Sequence, residues 1–195
     1  MSRYCRILRF PPGAVDGFTR VDAAVTDLRS SLGRTLHAMA PDLGDDDERG
    51  VRRWVETESD SNVLIELVND LSLPYAYLEA TDATGDGAQV VTRALEGALQ
   101  TMSVEEIQAE AERHFPSRPG LLVLLAIASD SEGPVVFALL QGALSSEDAE
   151  VRANAVMAAT LLRWPAFFPL LEKMQERETD DGVRRLLEYA LVTRA

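Results

Sequence analysis

Apolar residues keep two rhythms along this chain, and the change between them divides it. Up to about residue 87, short apolar runs of strand length alternate with polar breaks. Beyond that point apolar positions recur every three or four residues nearly to the end, the spacing of one helical face. Tyr4, Ile7, Leu8 and Phe10, closed by Pro11-Pro12-Gly13, predict a first strand. Val21, Val25, Leu28, Leu32, Leu36 and Met39 then line one side of a helix expected over 16–39. Gly33 inside it costs about 1 kcal/mol relative to alanine, so that helix depends on packing. Three β-leaning runs follow at 51–57, 63–68 and 73–79, and the polar breaks between them suit the hairpin loops of an antiparallel meander.

The breaker 81–87 ends this part, and helices are predicted over 88–101, 104–114, 120–128, 134–144, 149–163, 166–177 and 182–194. Their punctuation agrees with their periodicity. Ser103 and Glu106 have capping-box spacing, and Asp148 and Asp180 stand where N-caps belong. Pro134 and Pro165 fall at or beside first helical positions, where a missing amide proton costs nothing. The fold class that results is α+β: a small β-α-β-β-β layer over residues 1–87, then an all-α stack over 88–195.

The helical part also repeats. Asp148-Ala149-Glu150-Val151-Arg152 returns 32 residues later as Asp180-Asp181-Gly182-Val183-Arg184, and Ala94, Ala126, Ala158 and Ala190 keep the same period. Units of this length are too small to bury an apolar face without a neighbour, which makes them solenoid units. From about residue 120 onward the chain resembles HEAT repeats, in the broad sense that includes the bacterial phycobilisome-lyase-like group. Asp148-x-x-Val151-Arg152 with Ala155, Leu161, Pro165, Leu170 and Leu171 carries the resemblance, followed by Asp180-x-x-Val183-Arg184 with Leu187 and Ala190. In the first unit Pro119-Gly120 replaces the Val-Arg pair. The resemblance implies a stack of helix pairs with a recognition surface. It also implies that Asp148, Arg152, Asp180 and Arg184 form a structural ladder between repeats, and it implies no chemistry.

Charge narrows the choice of partner. The formal net charge is -13, with 9 basic and 16 acidic residues up to Asp86 and 10 and 16 after it, so the acidity is general. Phosphate backbones and anionic lipid repel such a surface. A protein or peptide is the expected partner, and charge would favour a basic one, although solubility explains the acidity equally well; nucleic acid and membrane are not expected. Lys173 is the single lysine among 19 basic residues, a bias that fits a GC-rich bacterial genome. With Cys5 as the one cysteine, no apolar signal core at the N-terminus, and no apolar run longer than 121–128, the expected location is cytoplasmic.

Candidate chemistry is sparse. Asp82-x-Thr84-x-Asp86-Gly87 matches the start of a calcium loop, but Arg93 occupies the position of the closing glutamate, so a plain turn is expected. Asp45-Asp46-Asp47-Glu48 reads as a solvated loop. His37 and His114 share no metal-ligand spacing, and Cys5 lies in a predicted strand without a nucleophile signature. No catalytic residue, metal or cofactor is therefore expected. Trp164 and Phe168 fall off the apolar face shared by Phe167, Leu170, Leu171 and Met174, which makes them candidates for partner binding or for burial against a neighbouring helix. The expected function is a non-enzymatic bacterial interaction module of adaptor, accessory or immunity type. The alternative is a lyase-like or cofactor-free enzyme of a bacterial biosynthetic or modification pathway. Tyr189 and Val192 widen the apolar stripe of the last helix, which suggests a homodimer through that helix.

Overall fold

The computed structural model describes residues 2–14, 16–39, 42–43, 49–56, 62–83, 86–129 and 131–193. The acidic run at 45–48 and residues 57–61, which include all of the polar break at 58–62 but Asn62, lie outside them. The described chain forms two compact units, Met1–Ser103 and Val104–Ala195.

The first unit is a single antiparallel sheet covered by two helices. In chain order its elements are β1 (Ser2–Leu8), α1 (Gly17–Leu32), β2 (Leu36–Ala38), β3 (Asp42–Leu43), β4 (Arg49–Glu56), β5 (Leu64–Asp70), β6 (Tyr77–Asp82), α2 (Asp86–Ala98) and β7 (Thr101–Met102). Strand order is β2-β4-β5-β6-β1-β7, with β3 also on β4. The predicted meander is present as β4-β5-β6, and β1 joins it antiparallel to β6. Register places Trp54 opposite Ile65, Ile65 opposite Ala80 and Ala80 opposite Tyr4, so these side chains share a face. On that face Trp54, Ile65, Leu67, Leu78 and Ala80 form one core with Val21, Val25 and Leu28 of α1 and Val91 and Leu95 of α2. Trp54 keeps a polar handle as well, since its indole N–H donates to Asp22 Oδ1 at 3.0 Å.

Three expectations need correction here. The first helix stops at Leu32 and does not run to residue 39. Gly33 adopts φ +67°, its N–H donates to the Arg29 carbonyl, and the N–H of Arg34 donates to that of Leu28. This is a glycine terminating a helix in the left-handed conformation, not a glycine tolerated inside one. Leu36 and Met39 continue the helical spacing, yet Leu36 lies in β2 against β4 and Met39 just after that strand. The second correction concerns β6, which begins at Tyr77; Leu73 is buried in the connection before it. The third is the boundary between units, at Ser103/Val104 and not at 87/88, because α2 packs on β1, β6 and α1.

Of the calcium-like spacing, Thr84 lies outside the described residues, and Asp82 and Asp86 stand at the start of α2. Asp82 is 2% exposed, and its Oδ2 accepts the N–H of Ala88 at 2.9 Å, which caps the helix. A Cβ on Gly87 would lie 2.7 Å from that oxygen and 2.9 Å from Val63 Cγ2. Glycine is therefore required for the close approach, and Asp86 is an exposed first-turn residue.

Helices make up the second unit: α3 (Val104–His114), α4 (Gly120–Ala128), α5 (Pro134–Ala143), α6 (Ala149–Leu162), a 3-10 turn (Pro165–Phe167), α7 (Phe168–Gln175) and α8 (Asp181–Val192). They lie within two residues of the predicted bounds except where the 3-10 turn opens the sixth segment. Helices two apart are neighbours: α4 packs on α6 and α6 on α8, while α3, α5 and α7 lie against α4, α6 and α8. All nine residues of α4 are buried, as a helix apolar on every side must be. Among the described residues no helix is long and apolar enough to cross a membrane.

Candidate functional site

Each helix pair of the second unit turns a corner, and the corner between α6 and α7 carries the aromatic cluster. Arg163 closes α6 with φ +53°, and its N–H donates to the Ala159 carbonyl at 3.1 Å. A non-glycine residue in this left-handed region costs about 1–2 kcal/mol, so the surrounding packing imposes the turn. Trp164 follows, and its carbonyl accepts the N–H of Phe167 at 3.0 Å across the 3-10 turn. Pro165 begins that turn with φ already set for it.

The turn places Trp164 on Phe167, ring centroids 5.6 Å apart and 15° from parallel. Phe137 of α5 stacks on the same Phe167 at 5.0 Å. Phe167 is 1% exposed and holds both neighbours, as offset aromatic stacks do. Beside them lies a recess of about 380 Å³ lined by Glu132, Gly133, Pro134, Phe137, Trp164 and Ala166. Gly133 is the N-cap of α5 and Pro134 its first residue, so the recess opens at a helix start.

Of the two candidates for partner binding, Trp164 lines this recess but is itself 7% exposed. It is a wall, not a projecting anchor. Phe168 is half-buried, opens α7 and does not line the recess, so the two do not form one patch. Phe137 is the residue the sequence reading missed. It stands 27 residues before Trp164, and no periodicity links a ring on one helix to a corner on the next.

The ladder takes a different form from the one the resemblance implies. Asp148 and Asp180 are N-caps, Asp148 accepting the N–H of Glu150 at 2.8 Å and Asp180 that of Val183 at 3.0 Å. Arg152 pairs not with an aspartate of the motif but with Glu178. Its Nε and Nη2 each donate to one carboxylate oxygen at 2.8 Å, and its Nη1 donates to the carbonyls of Ser146 and Glu147. Glu178 Oε1 also accepts the N–H groups of Thr179 and Asp180 at 3.0 Å. The side chains are 15% and 3% exposed. The Arg152 hydrogen bonds hold the Glu178 carboxyl down at about 2, against the opposing effect of burial and with help from the Asp180 amide, and Arg152 is raised by the same contact. Arg184, one repeat on, pairs instead with Asp181 in its own helix, and both are exposed.

A second recess of about 410 Å³ lies along this clamp, lined in part by Ser145, Arg152, Arg177 and Glu178. Arg152 and Glu178 satisfy one another there, which makes the clamp a strut between the start of α6 and the α7–α8 connection. His37 and His114 are exposed and far apart in sequence. Among the described residues no three of His, Cys, Asp or Glu are placed to hold a metal ion. Comparison with protein-family models, with curated proteins and with solved structures finds no match to this chain.

Proposed function

We propose that the chain is a non-enzymatic interaction module, an adaptor, accessory or immunity-type protein of the bacterial cytoplasm, whose helical unit binds a basic protein or peptide. The observation that carries this reading is the preformed recess between the start of α5 and the corner after α6, walled by Phe137 and Trp164. Rings already stacked on Phe167 lose little rotamer entropy when a partner docks, which is the economy of a binding surface. The contacts between alternate helices support reading the unit as a HEAT-like stack, and such stacks present extended surfaces to partners. The even acid excess favours a basic partner over nucleic acid or membrane.

The test is reconstitution. Proteins retained from the native host by the wild-type chain and lost on a Val135→Asp variant are identified by mass spectrometry, purified and titrated by calorimetry. Val135 is 46% exposed and follows Pro134 of the lining in sequence, so the change leaves the core alone. Binding at about micromolar Kd or tighter that Val135→Asp weakens supports the module. Purified candidates that never bind, or that bind both forms alike, overturn it.

Self-association through α8 belongs to the same proposal. Tyr189 and Val192 are 64% and 78% exposed on the outer side of that helix. Leu187 is fully buried, so it is a core residue and Tyr189 is the position to probe.

A further inference from the structure

We propose that the recess beside Trp164 receives the guanidinium group of an arginine side chain presented by the partner. This rests on the interaction-module reading and names the chemistry of its contact. Phe137 and Trp164 give the recess an aromatic lining of the kind that attracts cations, and both rings are fixed because Phe167, 1% exposed, is stacked against them. Glu132 stands on the rim. Four partly buried glutamates among the described residues are matched to arginines of the chain itself, Glu56 to Arg34, Glu66 to Arg53, Glu110 to Arg118 and Glu178 to Arg152, while Asp22 and Asp82 accept from the Trp54 indole and the Ala88 amide. Glu132 is exposed, and it is the carboxylate that lines the aromatic recess.

A planar cation can lie against the indole or phenyl ring while its fork of N–H groups donates to the carboxylate. Lysine does both less well, because its compact, strongly hydrated ammonium neither stacks flat on a ring nor donates as a bidentate fork. An apolar side chain would leave Glu132 half-desolvated and unmatched. An anion would meet both Glu132 and a net charge of -13. Arg163, the basic residue next to Trp164, is exposed and is not part of the lining.

The experiment is an amide and indole NMR titration of the full chain with N-acetyl-arginine methylamide, beside the citrulline analogue of equal length and planarity but no charge. The expected result is a saturable, millimolar shift of the Trp164 indole N–H and of the Gly133 and Ala166 amides, with citrulline weaker by roughly tenfold. Glu132→Gln, an exposed change, should remove about the same factor while the remaining spectrum stays in place, and Phe137→Leu should weaken arginine further. Equal binding of citrulline, no effect of Glu132→Gln, or no shift at those three groups overturns the proposal. A partner protein held equally well by wild type and Glu132→Gln overturns the arginine pocket and leaves the interaction module standing. Arginine binding at the recess with no protein partner found does the reverse.

Discussion

Arg152 and Glu178 set the sharpest expectations for single residues. Arg152→Ala would leave Glu178, 3% exposed, without the cation that matches it, and stability should fall by about 1–3 kcal/mol in denaturant melts. Loss of partner binding with an unchanged midpoint would instead make Arg152 part of the interface. The pair also sets an acid limb. Glu178 titrates at about 2 in the folded chain against an ordinary 4.5, so its carboxylate is favoured by folding. That contribution is complete above about pH 4.5 and drains away as pH falls toward 2, because the unfolded chain takes up the proton first. The stability difference between wild type and Glu178→Gln should therefore be largest near neutrality and shrink across this window; a difference constant with pH would contradict the clamp. Gly87 supplies an opposite test. Alanine is the better helix former by about 1 kcal/mol. Its Cβ would meet Asp82 Oδ2 at 2.7 Å, however, so Gly87→Ala should lower the midpoint, by about 1–3 kcal/mol.

At the scale of elements, helix ends decide more than helix middles. Gly33 at φ +67° with nothing within 4 Å of an added Cβ has room but not the backbone for alanine, so Gly33→Ala should cost about 1 kcal/mol through strain alone. The last helix separates packing from association. Leu187→Asp should unfold the second unit, because that side chain is fully buried. Tyr189→Asp should leave the melt unchanged and, if two chains meet through α8, convert the light-scattering mass from twice 21.4 kDa to 21.4 kDa. A wild-type chain already at 21.4 kDa in micromolar solution removes the dimer. The helices after residue 103 were legible because caps, prolines and the 3.6-residue period agree: Asp148, Asp180 and Pro134 all stand where they were expected. The first helix was over-extended because Leu36 and Met39 happen to keep helical spacing inside and after an edge strand.

For the whole molecule the governing quantity is charge. An excess of acid in both units, 17 against 10 up to Ser103 and 15 against 9 beyond it, predicts no saturable complex with duplex DNA at physiological salt. Anisotropy at low micromolar DNA checks this, and binding that weakens as salt is added would reverse it. Composition, the antiparallel meander, the helical periodicity and the repeated Asp-x-x-Val-Arg were all readable from sequence, because each depends on spacing within one segment. Tertiary structure alone decided the rest. It assigned α2 to the sheet, put Glu178 rather than a motif aspartate on Arg152, turned Asp82 into a cap, and brought Phe137 to Trp164. Each of these joins residues from different elements, and local periodicity carries no term for which faces meet. Caps and periods are written along the chain, whereas a clamp or a recess exists once two segments are close enough to exchange a hydrogen bond or a ring contact.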